Sequence, residues 1–241
     1  YFRRYIHSDK KLRHRAMAAM YGNTVKKSGK VDIFGDKYDI IPQPDNDVVA
    51  KTVAGRPDRF CGHVWINPAG PVSPVEEAER VMARPGMVGV KAHPFWHDFA
   101  VVLLKDVAAL CEEKGWPLLV HLGVKEKGDY RLLPEAFSRL KIIYAHAGIP
   151  YGTDVCRYAR TKQNVFVDLS SSQYVDLPAA RQAVQLAGPE KCLFGTDGPY
   201  MHASQDRFDY AHYIEMFNAL RLGDADRERV GWKNFEEIAG L

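Results

Sequence analysis

Two histidines and one aspartate stand at the ends of short apolar runs in this chain. His121 ends PLLVH, His146 ends IIYAH, and Asp197 ends LFGTD. Neutral imidazole nitrogens and carboxylate oxygens are ligands for zinc, iron or manganese. A metal ion lowers the pKa of a bound water, and a neighbouring histidine or aspartate can then exchange a proton with it. Because the three residues occupy equivalent positions in successive units, we expect them to meet at one site.

The chain repeats one unit from Arg56 onward: an apolar run, a loop, an amphipathic helix, then the next run. Six runs are rich in branched or aromatic residues and bounded by Gly, Pro or Asp, which is typical of buried parallel strands. They span residues 60–67, 87–92, 117–122, 141–146, 164–169 and 192–197. Their starts follow one another every 23 to 30 residues, close to the roughly 30 residues of a βαβ unit.

The segments between the runs have helical periodicity. The pattern predicts helices over residues 75–83, 100–114 and 178–186, the second ending at Gly115 as a C-terminal cap. Further upstream, residues 45–54 are predicted as a helix and residues 38–41 as a strand. The sequence therefore predicts seven strands at most.

Alternating strands and helices indicate a parallel sheet, either closed as a barrel or open and doubly wound. The glycine-rich phosphate loops that mark many open sheets, G-x-G-x-x-G and G-x-x-x-x-G-K-[ST], do not occur. Polar residues instead collect at the carboxyl ends of the runs, where barrel enzymes have their active sites. We therefore predict one α/β domain over residues 1–241, a (β/α)8 TIM barrel.

The composition argues against some classes of binding partner. Hydrophobic residues make up 46% and charged residues 26% of the chain, and the net charge of +3 comes from interleaved basic and acidic residues. No basic block suggests nucleic acid, and no apolar stretch suggests a membrane span or a signal peptide. The four scattered cysteines are predicted to be buried thiols in a reducing compartment, which favours the cytoplasm. They are Cys61, Cys111, Cys156 and Cys192.

Several stretches, by their order and spacing, resemble the amidohydrolase superfamily. The likeness is to the amidohydrolase-related branch that also contains aminocarboxymuconate-semialdehyde decarboxylase and gamma-resorcylate decarboxylase. The matching stretches are 46–47 through 57–60, GVKAHP at 89–94, LVHLG at 119–123, YAHAG at 144–148 and LFGTDGP at 193–199. The resemblance implies a barrel enzyme with a divalent metal, zinc as the first choice and iron or manganese as alternatives. It also implies a small-molecule substrate, and such relatives commonly form homodimers.

The resemblance also implies roles for individual residues. In that family the histidine ending the fifth barrel strand and the aspartate ending the eighth bind the metal, and the histidine ending the sixth binds metal or acts on the substrate. Carried over, the metal ligands are His121, His146 and Asp197, and the catalytic residues are His146 and Asp197. Lys91 and His93 fall on the fourth strand two residues apart, hence on one side of it, and are expected to bind the substrate.

One family feature is absent. The first barrel strand of the family ends in H-x-H, which supplies two further ligands, and no H-x-H occurs in these 241 residues. The chain also begins with Tyr1 and has at most seven predicted strands. We therefore expect the first barrel strand to lie upstream of Tyr1, so that the barrel in this chain is incomplete at its N-terminal end.

The expected activity is metal-dependent hydrolysis of a small organic substrate by metal-activated water. Three alternatives stay open. The first is a metal-dependent decarboxylase acting on a small carboxylic acid, because the same ligands serve both reactions. The others are a metal-free lyase forming a Schiff base at Lys91, and a barrel without catalysis that serves as a binding protein.

Overall fold

The main sheet is a row of six parallel strands. The computed structural model describes residues 30–33, 36–39, 43–172, 174–198 and 210–241. The six strands are β3 (Gly62–Ile66), β4 (Met87–Ala92), β5 (Leu118–Val120), β6 (Ile142–Tyr144), β7 (Val165–Asp168) and β8 (Cys192–Leu193). They lie in chain order, each pairing in parallel with the next. Because every crossover runs the same way round, with no reversal of strand order, this is the wall of a (β/α)8 barrel and not a doubly wound sheet.

All six predicted strands are confirmed, and most are shorter than their apolar runs. The sheet pairing of β5 ends at Val120, that of β6 at Tyr144 and that of β8 at Leu193. Beyond these points the backbone turns out of the sheet, and His121, His146 and Asp197 lie in the turns. The barrel mouth is therefore built from strand-to-loop turns.

A two-stranded hairpin lies outside this sheet. Strand β1 (Lys30–Ile33) pairs antiparallel with β2 (Asp36–Asp39), and neither pairs with the six barrel strands. The predicted strand over residues 38–41 is therefore wrong as a barrel strand, and residues 40–41 lie outside the described part of the chain. The sequence of β2, DKYD, has charged residues at three of four positions, which does not suit a parallel strand buried on both faces.

Helices alternate with the barrel strands as predicted. Their bounds are α1 Asn46–Gly55, α2 Pro74–Met82, α3 Pro94–His97, α4 Lys105–Lys114, α5 Leu132–Ala136, α6 Thr153–Thr161, α7 Leu177–Ala187, α8 Ala211–Ala219, α9 Asp224–Glu228 and α10 Asn234–Ala239. The single helix predicted over residues 100–114 is instead a 3-10 turn, Val101–Leu104, followed by α4. Gly115 caps α4 with a left-handed φ of 72°, as predicted. In the described residues no helix has the length and apolarity that crossing a membrane requires.

The core has two parts that follow the alternation of side chains along the strands. In β3, Val64 and Ile66 are buried against the helices, whereas His63 and Trp65 point to the other face. A second, smaller cluster on that inner face joins Ile143 and Leu193 to Ile238 of α10. Lys141, just before β6, donates from Nζ to the carbonyls of Glu237 and Ile238. Helix α10 therefore closes the amino-terminal end of the barrel, opposite the mouth.

The cysteine prediction is confirmed for three residues and wrong for one. Cys111, Cys156 and Cys192 are buried, and burial raises the pKa of Cys111 and of Cys156 to about 12. Cys61 is exposed, because it precedes β3 and lies before the first buried position of that strand.

Candidate active site

A cavity of about 270 Å³ lies on the inner face of the sheet. Three of the predicted site residues, Lys91, His146 and Asp197, contribute to its wall. Polar neighbours are His63, Asp168, Ser170 and Thr196, and the apolar lining comes from Leu119, Ile143, Ala145, Leu193, Phe194, Gly195 and Phe235. An apolar pocket with a few converging polar groups is typical of a site for a small molecule.

His146 and Asp197 face each other across this cavity. The His146 Nε2 and Asp197 Oδ2 atoms are 3.9 Å apart. Both residues have a left-handed backbone, with φ of 54° at His146 and 62° at Asp197. Positive φ is uncommon outside glycine, and such strain is concentrated at functional sites.

Residues at the end of β7 and in the turn after it interact with both members of this pair. His146 Nδ1 lies 2.8 Å from the Ser170 hydroxyl, and the His146 backbone N–H donates to Asp168 Oδ1 at 2.9 Å. The Ser170 hydroxyl and its backbone N–H both donate to the same Asp168 oxygen. The next residue, Ser171, acts on the Asp197 carboxylate through its side chain and lowers the pKa of that group.

His121 and His93 stand beside the cavity and are not part of its lining. Their rings stack with centroids 4.0 Å apart, and the His121 ring meets His146 edge-on at 4.7 Å. His93 Nδ1 accepts a hydrogen bond of 3.0 Å from the backbone of Trp96, which caps the short helix α3. The predicted substrate contact at Lys91 is thus on the cavity wall, whereas His93 has one ring nitrogen in use as a cap.

Burial keeps the imidazoles of the site neutral. It lowers the pKa of His93 and of His121 well below the ordinary value, and the neighbouring histidines and Lys91 lower them further. Burial also lowers the pKa of His146, although Asp168 and Asp197 oppose that shift. Neutral imidazole is the form that binds metal ions or accepts a proton.

Lys91 is a cation without a partner in the described residues, since no hydrogen bond or ion pair within them reaches its ammonium group. Burial lowers the pKa of Lys91, and the negative charges of Asp168 and Asp197 act in the opposite direction. Burial raises the pKa of Asp197, and His146 opposes this. The cavity therefore offers one cationic donor opposite a carboxylate and a neutral imidazole.

The described residues do not by themselves form a finished metal cage. Within them, no three His, Cys, Asp or Glu side chains converge closely enough to enclose an ion. His121, His146 and Asp197 lie next to one another, but their assignment as ligands stays a prediction.

Several residues that surround His146 and Asp197 could not be identified from the sequence. The sequence assigns no role in the site to Asp168, Ser170 and Ser171, although Asp168 ends strand β7 and the two serines lie in the turn after it, at the same barrel mouth. His63, to which the sequence assigns no role in the site, lines the cavity. It packs against Phe235 with centroids 6.1 Å apart, and its Nδ1 atom has no hydrogen-bond partner among the described residues. The available signal for the loop was three consecutive serines, residues 170–172, placed one residue after a strand that ends in aspartate.

Solved structures with this fold include several decarboxylases. One is 2,6-dihydroxybenzoate decarboxylase complexed with 2,6-dihydroxybenzoate, at 21% identity and a TM-score of 0.64, covering 81% of this chain and 75% of that one. A second is 5-carboxyvanillate decarboxylase from Sphingomonas paucimobilis, at 21% identity and 0.62, covering 81% and 71%. A third is a dihydroxybenzoic acid decarboxylase from Polaromonas sp. JS666 with bound manganese and 2-nitroresorcinol, at 19% identity and 0.59, covering 81% and 74%. At these identities the likeness shows the fold.

Family membership comes from the sequence match. No curated protein matches this chain. The family model described as Amidohydrolase matches residues 34–238, which contain all six barrel strands and every cavity residue named above. The chain belongs to the amidohydrolase family of enzymes.

Proposed function

We propose that this chain is the barrel of a metal-dependent decarboxylase acting on a small aromatic carboxylic acid. The observation that carries the proposal is the arrangement in one cavity wall of the facing pair His146 and Asp197 with Lys91, whose ammonium group has no bonded partner among the described residues. The likeness in fold to decarboxylases of hydroxybenzoic acids supports this reaction over the hydrolysis that the sequence first suggested.

The donor set suits a divalent metal in its chemistry. The His146 Nε2 and Asp197 Oδ2 atoms, at 3.9 Å, are too far apart for a hydrogen bond and close enough for two ligand bonds of about 2.1 Å to one ion. His121 adds a neutral imidazole at the edge of the His146 ring. We assign these three residues as ligands, and further donors would have to complete the site, because the described residues by themselves do not enclose an ion. Manganese is the metal of one structural neighbour, and zinc and iron suit the same donors.

The chain's own residues have separate tasks in this scheme. Lys91 Nζ donates to an anionic oxygen of the substrate, and the apolar wall of Leu119, Ile143 and Phe235 packs against its ring. A bound metal would polarise the carboxylate or an adjacent oxygen while charge develops. Asp197, protonated on the carboxyl oxygen that does not bind the ion, gives its proton to the ring carbon that bears the carboxylate, and takes a proton back from water after the product leaves. Burial raises the pKa of Asp197, which favours this protonated form. The carbon–carbon bond then breaks, its electron pair stays with the ring, and carbon dioxide leaves.

Two results would separate the metal-dependent decarboxylase from the Schiff-base lyase. The proposed enzyme loses activity to a chelator and regains it with Mn²⁺. A lyase that uses Lys91 as nucleophile keeps its activity in the chelator and is trapped covalently by borohydride in the presence of substrate.

The test is carbon dioxide release from 2,6-dihydroxybenzoate and 5-carboxyvanillate in the presence of Mn²⁺, beside measurement of bound metal. We expect turnover by the wild type, and loss of both metal and turnover in His121→Ala and Asp197→Asn. Asp106→Asn, an exposed change on α4, is the matched control and should keep both. Metal content unchanged in both site variants would overturn the ligand assignment, and release of no carbon dioxide from any hydroxybenzoate would overturn the reaction.

A further inference from the structure

The hydrogen bonds behind His146 have one direction, because the Ser170 hydroxyl carries a single proton. Asp168 Oδ1 already accepts the backbone N–H groups of His146 and Ser170, at 2.9 Å and 3.0 Å. An oxygen that accepts two N–H groups is not the protonated oxygen of a carboxyl, so it also accepts the Ser170 hydroxyl proton. Ser170 Oγ therefore has only lone pairs left for the ring of His146.

This direction decides which nitrogen of the neutral imidazole carries the proton. His146 Nδ1 lies 2.8 Å from Ser170 Oγ and must be the donor in that bond. In the neutral ring the other nitrogen, Nε2, then has a lone pair and no proton. That lone pair points to the side of the cavity where Asp197 Oδ2 lies at 3.9 Å.

The residues around Ser170 restrict its side chain to this hydrogen-bonding arrangement. His146 and Ser170 are 5% and 6% exposed, so water cannot easily replace the serine as the partner of Nδ1. Gly195 approaches from the turn after β8, and a Cβ there would lie 3.0 Å from the Ser170 Cβ. The Ser170 side chain is thus held between Asp168, Gly195 and the imidazole.

We propose that Ser170, itself oriented by Asp168, is a positioning residue that fixes His146 as the Nδ1–H tautomer and presents the Nε2 lone pair to the cavity. The catalytic consequence of this tautomer rests on the proposed function, because Nε2 is then the atom that binds metal or takes a proton. The tautomer itself is a property of the chain and is measured without any turnover.

The test is long-range ¹H–¹⁵N correlation NMR on the full chain with ¹⁵N-labelled histidine and no added metal. His146→Gln identifies the His146 signals by their disappearance. In the wild type we expect Nδ1 to give the signal of a protonated nitrogen and Nε2 that of a nitrogen with a lone pair. A wild-type His146 protonated at Nε2 would overturn the proposal without the need for any variant.

Ser170→Ala removes the acceptor and should shift the His146 signals towards a mixture of both tautomers. The matched change one residue along, Ser171→Ala, removes the hydroxyl that lowers the pKa of Asp197 and should leave the His146 tautomer as in the wild type. Ser138→Ala, an exposed serine far from the site, controls for the handling of the protein. His146 signals that are identical in Ser170→Ala and the wild type would contradict the proposal.

Kinetics separate positioning from general damage. With a substrate that the wild type turns over, Ser170→Ala is expected to lower kcat about 10- to 100-fold, the usual effect of losing a residue that orients a ligand, with a smaller change in KM. An equal loss in Ser170→Ala and Ser138→Ala would contradict this. If no substrate is turned over, the proposed function fails while the tautomer result still decides the role of Ser170.

Discussion

Lys91 is the residue whose placement says most about the ligand. A half-buried ammonium group in a cavity, with no anion bonded to it among the described residues, is costly unless a ligand supplies the missing charge. His146 and Asp197 face the same space but contribute lone pairs and a carboxylate. The cavity is therefore suited to a ligand with an anionic oxygen on the Lys91 side.

Lys91→Met is expected to weaken binding of an aromatic carboxylate and to keep the fold, because methionine fills the space of the lysine stem. Loss of a hydrogen bond to a charged group costs about 1.5–3 kcal/mol, so KM should rise roughly 10- to 100-fold. The measurement is the steady-state KM for the substrate that the wild type accepts. Lys105→Met, an exposed change on α4, serves as the control. A KM within twofold of the wild type would show that Lys91 does not contact the substrate.

The sequence predicted the residue types of the site better than their contacts. His146, Asp197 and Lys91 could be predicted as candidate site residues because each lies on a strand or at a strand end. The regular spacing of the parallel strands brings such positions to one end of the barrel. Ser170 and Asp168 could not be given roles, because the direction of their hydrogen bonds depends on a left-handed turn at His146. His93 was placed with Lys91 from the strand alternation, but the chain leaves the strand after Ala92 and turns into α3.

At the scale of elements, the side chain of Asn46 joins α1 to strand β3. Its Nδ2 donates to the Trp65 carbonyl at 3.0 Å, and its Oδ1 accepts the Trp65 N–H at 2.8 Å. The same Nδ2 donates to Glu77 of α2 at 2.8 Å. Glu77 also accepts two hydrogen bonds from Arg80, which reaches on to Asp47. Two helices and a strand are therefore connected by one buried polar network.

Glu77→Gln should destabilise the chain by about 1–3 kcal/mol near neutral pH, the cost of a buried hydrogen-bonded charge losing its partners. Hydrogen bonds from Arg80 lower the pKa of Glu77 below the ordinary value of 4.5. A lowered folded-state pKa means that the stabilisation is present above pH 4.5 and is lost as the pH falls through the folded value. The difference between variant and wild type should therefore shrink in acid, as measured by urea unfolding at several pH values.

The control for this network is Glu79→Gln, an exposed position on the same helix. Surface changes of this kind usually stay within about 0.5 kcal/mol. If the Glu77 variant unfolds like the Glu79 variant at pH 7, the network does not stabilise the fold.

The helix pattern predicted α1 and α2 within one residue at each end, whereas the network between them could not be predicted, because it needs residues 31 positions apart.

At the scale of the whole molecule, the four cysteine thiols lie in two environments, one buried and one exposed to solvent. Cys111, Cys156 and Cys192 are buried in the layer between the sheet and the helices, and Cys61 lies outside it. The sequence predicted all four as buried thiols. The error at Cys61 arose because the run over residues 60–67 begins two residues before strand β3.

Thiol labelling of the native chain with an aromatic disulfide reagent should therefore modify one cysteine quickly and the other three slowly. Burial withholds the reagent, and the raised pKa of Cys111 and Cys156 keeps their thiols protonated at neutral pH. Mass spectrometry should place the fast label on Cys61, and Cys61→Ser should abolish the fast phase. Four fast thiols in the native chain would mean that the helices do not cover the sheet. Urea-unfolded chain supplies the reference for four reactive groups.

The contact between Asn46 and Trp65 has one more consequence, for how this molecule behaves among its own copies. Strand β3 has a described strand neighbour only at β4, and an open strand is a template on which another chain can add a strand. The Asn46 amide occupies both the donor and the acceptor of Trp65 on the side of β3 that has no strand neighbour among the described residues, as a backbone peptide of an incoming strand would. Its removal would thus free an edge as well as weaken a helix contact, and concentrated solutions of the chain would become prone to growth of intermolecular sheets.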